Sequence, residues 1–198
     1  MKQKHAHIFD REKHEHYVEE RWVSERLFQE EGFHGLIDDP FCGFGTIPKS
    51  AHAAGFDVTA TDLVDRGYST APFKPTDFFD DDCSDWIRDN LVSNPPFDRF
   101  KAVALRALEL TARKVALVWQ TPRLNAAGAW LEKTPLRRVW YMTPRPSMPP
   151  GHVVREYEAK GKRPSGGTQD YVWLVWERGY TGFPEMRWLR RDRATDSL

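Results

Sequence analysis

Residues 35–46 read Gly-Leu-Ile-Asp-Asp-Pro-Phe-Cys-Gly-Phe-Gly-Thr. The opening, 35–39, has the pattern of a short strand. Gly43 and Gly45 make the turn after it, and Thr46 to Ala54 reads as a helix. A strand, a glycine-rich turn and a helix start form a site for a ligand that approaches the backbone closely, because glycine has no Cβ and reaches positive φ freely. The Gly-Phe-Gly spacing is not the full dinucleotide fingerprint, and no Lys-Ser/Thr pair follows it, so a P-loop is excluded. Asp39 at the turn suits a cationic ligand better than a phosphate. A second strand, Phe56 to Thr61, ends in Asp62, about twenty residues after the glycines, where an α/β nucleotide fold sets an acid against ribose hydroxyls. The alternative for Asp62 is an ordinary solvated carboxylate at a strand end. Asp77-Phe78-Phe79 adds a third acid with aromatic neighbours, suited to gripping an adenine.

Further along stands Ser-Asn-Pro-Pro-Phe at 93–97. Each proline fixes its own φ and biases its predecessor away from helix, so Asn94 sits on a stiff, extended segment. Neither proline has an N–H, which leaves carbonyls there free as acceptors. An amide oxygen at Asn94, the carbonyl of Pro95 and the flat face of Phe97 match what an NH2 group on a planar system requires. Such an amine is a poor nucleophile because its lone pair is delocalised. Two acceptors on its protons favour a tetrahedral nitrogen, and alignment with a methyl donor supplies most of the remaining acceleration. The bland alternative is a surface turn, which Asn-Pro also marks.

Taken together, Asp-Pro-Phe-Cys-Gly-x-Gly-Thr and Asn-Pro-Pro-Phe resemble the class I S-adenosylmethionine-dependent methyltransferases of the amino-methylating branch, and among these small phage and prophage DNA adenine-N6 methyltransferases. The resemblance spans roughly residues 17–178, with its specific motifs in a small part of that length. It implies an α/β, Rossmann-like fold: a mostly parallel seven-stranded sheet with helices on both faces and a C-terminal antiparallel strand. It implies S-adenosylmethionine as cofactor, held by Asp39, Pro40, Phe41, Cys42, Gly43, Gly45, Thr46 and Asp62, with Asp77 and Phe78 on the adenine side. Asn94, Pro95, Pro96 and Phe97 match the catalytic motif. Phe44 departs from the family, which usually has Ser or another small residue there. Glu19-Glu20 departs where the family often carries Thr-Pro, so a cofactor contact at that point is unassigned. The same motif serves enzymes that methylate RNA adenine-N6, RNA guanine-N2 or a protein glutamine amide, and a module that has lost catalysis is a further alternative.

A chain of 198 residues can bury one good core. Two cysteines, Cys42 and Cys83, make no disulfide framework, no apolar run is long enough to span a membrane, and the Lys- and His-rich start lacks a signal-peptide core, so a cytoplasmic protein is expected. The net charge of zero conceals a split. Residues 1–98 hold 10 Lys and Arg against 20 Asp and Glu, and residues 99–198 hold 19 against 9. Such asymmetry points to a polyanionic partner, DNA or alternatively RNA, unless the halves interleave in space.

Residues 1–16 read as a mobile polar tail, 17–180 as the methyltransferase domain and 181–198 as a basic tail. Helices are expected over Tyr17–Glu31, Trp86–Asn90, Phe100–Lys114 and Pro122–Leu131, the third carrying Val103, Leu105, Leu108 and Leu110. Strands are expected at Leu91–Ser93, Val115–Trp119, Leu136–Thr143 and Tyr171–Glu177. Between the last two strands lies a Pro- and Gly-punctuated basic loop with Arg145, Arg155, Lys160, Lys162 and Arg163, a phosphate-contacting element beside the active site. It is too small to be a separate recognition domain, which predicts weak sequence preference. No metal is expected: His5, His7, His14 and His16 lie in a charged tail without a second ligand cluster. Trp119, Trp140, Trp173 and Trp176 read as core.

Overall fold

The computed structural model describes residues 16–68, 74–80, 87–162, 164 and 166–191. His5, His7, His14, Cys83, Arg163 and the end of the chain from 192 lie outside the described residues. Seven strands form one sheet: β1 (Ile37–Asp39), β2 (Val58–Ala60), β3 (Arg88–Ser93), β4 (Thr111–Gln120), β5 (Leu136–Thr143), β6 (Tyr171–Glu177) and β7 (Glu185–Arg190). Their order is β2-β1-β3-β4-β6-β5-β7. All neighbours run parallel except β6, which is antiparallel to both β4 and β5. Among the described residues five α-helices pack around the sheet: α1 (Arg21–Glu30), α2 (Thr46–Ala53), α3 (Phe100–Leu110), α4 (Leu124–Leu131) and α5 (Gly151–Ala159). The expected Rossmann-like α/β architecture is therefore present. No helix among the described residues is long and apolar enough to cross a membrane.

The core follows from the apolar runs. In β6, Val172, Trp173, Leu174, Val175 and Trp176 are wholly buried, as a central strand covered on both faces requires. Burial of each aliphatic side chain contributes about 1.5–3 kcal/mol. The two indoles also satisfy their N–H groups: Trp173 Nε1 donates to the Val23 carbonyl at 3.1 Å, and Trp176 Nε1 to Thr134 Oγ1 at 2.8 Å. Trp119 stacks on Phe100 with centroids 4.1 Å apart. Trp119, Trp140, Trp173 and Trp176 are all buried.

Several segments differ from expectation. The expected helix at Trp86–Asn90 is the opening of β3 from Arg88. Asn90 Nδ2 donates to the His34 and Leu36 carbonyls, and Arg88 pairs with Asp38, so tertiary partners fix an extended chain where five residues carry no decisive period. The helix expected to reach Lys114 stops at Leu110, and Thr111 begins β4 with no residue between. Arg178 holds that junction by donating to the Thr111 and Leu108 carbonyls at 3.0 and 3.3 Å. The buried face of α3 is Phe100, Val103, Ala104, Ala107 and Leu110, while Leu105 points outward. The basic segment contains α5 where a loop was expected. Residues 185–190, read as tail, add β7 beside β5, anchored by Glu185, which accepts from both Arg137 and Arg138.

Helix α1 begins at Arg21, four residues later than expected. Tyr17 to Glu20 is an extended strap instead. Tyr17 bridges Pro150, Val18 N donates to the Pro149 carbonyl at 2.9 Å, and Gly151 N donates to the His16 carbonyl at 3.0 Å. Glu20 then ends the strap at φ −67°, ψ 141° and accepts from Trp22 Nε1 and Ser147 N.

Candidate functional site

The chain goes from β1 to β2 on one side and returns to β3 on the other, so the sheet order reverses between β1 and β3. In open α/β sheets the crevice beyond the strand ends at such a switch point is where ligands bind. Asp39 closes β1 and Ser93 closes β3, and Ser93 Oγ donates to Asp39 Oδ1 at 2.5 Å. The two sequence motifs thus meet at adjacent strand ends.

A cavity of about 350 Å³ opens there, within the usual size of small-molecule sites. Among the described residues five carboxylates line it, Glu19, Asp39, Asp62, Asp77 and Asp98, against two arginines, Arg66 and Arg99. Asp39 is almost wholly buried; besides Ser93, its Oδ1 accepts from Phe41 N at 3.2 Å, while Oδ2 has no hydrogen-bond partner among the described residues. Burial holds the Asp39 carboxyl well above the usual carboxylate range, the Ser93 hydrogen bond opposes this, and the negative charge of Glu19 adds to it. Burial likewise raises the Cys42 thiol, with the charges of Asp39 and Asp62 beside it.

The glycine turn forms as the sequence predicts. Gly43 and Gly45 have φ of 52° and 79°, and Gly45 N-caps α2 in the left-handed region. The space that a Cβ would take is filled by the chain itself: His16 lies over Gly43 and Tyr68 over Gly45. Asp62 holds the turn, Oδ2 accepting from Gly43 N at 2.9 Å and Oδ1 from Val64 N at 3.0 Å. Phe78 is buried, edge-on to Phe41 at 5.3 Å, and Asp77 Oδ1 accepts from Phe79 N at 2.9 Å. Phe41, Cys42, Thr46, Asp62, Asp77 and Phe78 all line the cavity, with Pro40 between them and Asp39.

Asn94 and Pro96 line the same cavity. Asn94 Nδ2 donates to the Tyr17 carbonyl and to Glu19 Oε2, both at 2.8 Å. With both protons committed, Oδ1 is the atom the amide has left to offer. Pro95 is buried. Phe97 is not an open face: it is buried, nearly parallel to Tyr17 at 6.1 Å and tilted against Tyr171 at 6.0 Å. A smaller pocket of about 70 Å³ borders this aromatic group and includes Gln120, Met148 and Gly167.

The basic residues divide. Arg155 comes to the cavity mouth, its guanidinium 5.0 Å from the Phe44 ring and its Nη2 donating to the Arg66 carbonyl at 3.1 Å. Arg145 is exposed but bidentate to Asp170, through Nε at 2.6 Å and Nη2 at 3.1 Å. Lys160 and Lys162 are exposed at the end of α5. Glu19, His16, Tyr17 and Arg99 belong to the site and were not assigned to it from sequence. The departure from Thr-Pro at Glu19-Glu20 was the signal that could have found the first of them.

No protein-family model and no curated protein sequence matches the chain. Among solved structures, the chain is similar to a modification subunit assigned to a type I restriction enzyme of Vibrio vulnificus YJ016. The TM-score is 0.55 at 11% identity, covering 89% of this chain and 48% of that one, so this chain spans about half the subunit's length. It is similar also to a SAM-dependent methyltransferase from Archaeoglobus fulgidus, with TM-score 0.49 and 14% identity over 80% of this chain and 95% of that one. These likenesses are of fold.

Proposed function

We propose that the chain transfers the methyl group of S-adenosylmethionine to the exocyclic N6 amine of adenine in DNA, with weak sequence preference. The observation that carries the reading is the commitment of both Asn94 amide protons to Tyr17 and Glu19. It leaves an acceptor oxygen, on a stiff segment, at the edge of an acid-lined cavity.

The residues present suit S-adenosylmethionine. Its sulfonium and ammonium are cationic, and the unpartnered Asp39 Oδ2 with its carboxylate neighbours supplies the complementary charge. Phe41 and Phe78 offer an apolar wall for an adenine, and Asp62 keeps lone pairs beyond its two backbone bonds for ribose hydroxyls. When bound, the cofactor supplies an electrophilic methyl group. Asn94 Oδ1 accepts one N–H of the target amine, and the Pro95 carbonyl accepts the other. That pairing holds the nitrogen in line and draws its lone pair out of conjugation. No strong base is required, because the product ammonium loses its proton readily. The target base leaves its stack at a cost of roughly a few kcal/mol and settles on Phe97, which requires Tyr17 to give way. Arg155, Lys160, Lys162 and Arg163 meet backbone phosphates; Arg145 contributes less, since Asp170 neutralises it.

The test is incubation of the purified chain with labelled S-adenosylmethionine and separate pools of DNA, RNA and protein, followed by mass identification of the product. N6-methyladenine in DNA is the expected result. Label in RNA or on protein glutamine moves the substrate, and absence of transfer to every pool overturns the reading.

A further inference from the structure

Glu19 is a buried carboxylate set between the two sequence motifs. It lines the cavity together with Thr46, at the first position of α2, and accepts from Asn94 Nδ2, just past β3, at 2.8 Å. Burial raises its pKa, opposed first by the Asn94 hydrogen bond. An ionised carboxylate is costly to bury and is tolerated where donors repay it. A side-chain amide has two orientations that differ only by exchange of O and N. In one, both Asn94 protons meet acceptors at 2.8 Å; in the other, Oδ1 faces the Tyr17 carbonyl and the Glu19 carboxylate, oxygen against oxygen.

We infer that Glu19 is a positioning residue for catalysis: by accepting one Asn94 proton from its place in the cavity wall, it fixes Asn94 Oδ1 toward the incoming amine. This rests on the methyl-transfer reading above. Glu19-Glu20 stands where the resembling family often carries Thr-Pro, so the assignment belongs to this chain's own residues. The Tyr17 carbonyl satisfies one of the two protons, and Glu19 is the acceptor for the other.

Two variants separate the parts. Glu19→Met keeps the volume and removes the acceptor; Glu19→Gln keeps an acceptor oxygen without the charge. In ¹⁵N-labelled protein, the Asn94 side-chain NH2 signals are identified by their loss in Asn94→Ala. Slow solvent exchange is expected in the parent and in Glu19→Gln, and exchange faster by about tenfold or more in Glu19→Met. At saturating S-adenosylmethionine, kcat should fall about 10- to 100-fold in Glu19→Met and stay within about fivefold of the parent in Glu19→Gln. The calorimetric Kd for S-adenosylmethionine should move less than kcat does in Glu19→Met. Unchanged Asn94 exchange in Glu19→Met overturns the inference, as does an equal kcat loss in both variants. A parent that shows the protected NH2 pair yet methylates no pool overturns the methyl-transfer reading instead.

Discussion

Tyr17 and Phe97 lie with ring planes 12° apart and centroids separated by 6.1 Å, so the residue that gives its carbonyl to Asn94 also roofs the aromatic face beside it. A planar base fits between two such rings after a small widening, since each stacked contact needs about 3.5 Å. Tyr17→Leu keeps the backbone carbonyl and removes the ring. The KM for the nucleic-acid substrate should rise about 5- to 100-fold, the worth of one base–aromatic stack. Steady-state kinetics check this, and an improved KM would mean that Tyr17 only occludes Phe97.

Asn94→Ala removes the amide acceptor while leaving the glycine turn intact. We expect kcat to fall by about 10²–10³, as for loss of one oriented polar group in a reacting site. Calorimetry should find cofactor affinity changed far less. Equal losses in both would place Asn94 in cofactor binding.

Asp39 and Glu19 give a pH dependence with a defined sign. Both carboxyls are raised in the folded chain, so folding favours their protonated forms. The ionisation penalty is absent below the unfolded pKa and complete above the folded one, so stability from this pair is lost as pH rises through that window. Cation binding runs the other way, weakening as pH falls and the two acids become neutral. The surrounding charges are Asp62, Asp77, Asp98, Arg66 and Arg99, with His16 at the rim. Asp39→Asn should therefore raise the thermal midpoint at neutral pH and weaken S-adenosylmethionine binding, read by calorimetry. A lowered midpoint with unchanged affinity would contradict it.

At the opposite ends of the strands, Glu31 and Arg138 form a buried ion pair, with Lys114 3.8 Å from Glu31 and Glu185 on the far side of Arg138. Glu31→Leu leaves Arg138 with Glu185 alone and should destabilise the chain in urea unfolding, by less than the about 3–5 kcal/mol of a buried charge left with no partner. The double change Glu31→Leu with Arg138→Met should recover most of the loss. Failure of the second change to recover stability would locate the effect in packing.

For the phosphate surface, Arg155→Ala should weaken DNA binding and reduce the salt slope by about one, independently of sequence. Arg145→Ala should do less, because Asp170 already neutralises that side chain. Binding isotherms across salt concentrations decide between them.

What could be read in advance was whatever local pattern dictated. β5 and β6 ran true to their apolar sequences, from Leu136 to Thr143 and from Tyr171 to Glu177, and the glycine turn with α2 followed from residues whose backbone demands are narrow. The missed parts depend on distant partners. Tyr17 is extended because Pro150 pairs with it, Arg88 is in a strand because Asp38 is opposite, and Glu185 starts a strand because Arg137 and Arg138 receive it. The candidate site divides likewise. Asp39, Asp62 and Asn94 were legible as motif, while Glu19 has meaning only once the strap crosses the cavity. Phe97 was read as a flat face for the base, and nothing nearby in the chain announces Tyr17 and Tyr171, the rings that enclose it.

The junction between Leu110 and Thr111 constrains how the chain can vary. Helix passes into strand with no spacer, so one inserted residue turns the helix by about 100° or reverses which strand side chains face inward. Either change would unseat Phe100 from Trp119 three residues beyond Phe97. Length variation is therefore excluded at this point, and redesign of the chain's span belongs in the segments whose ends meet solvent.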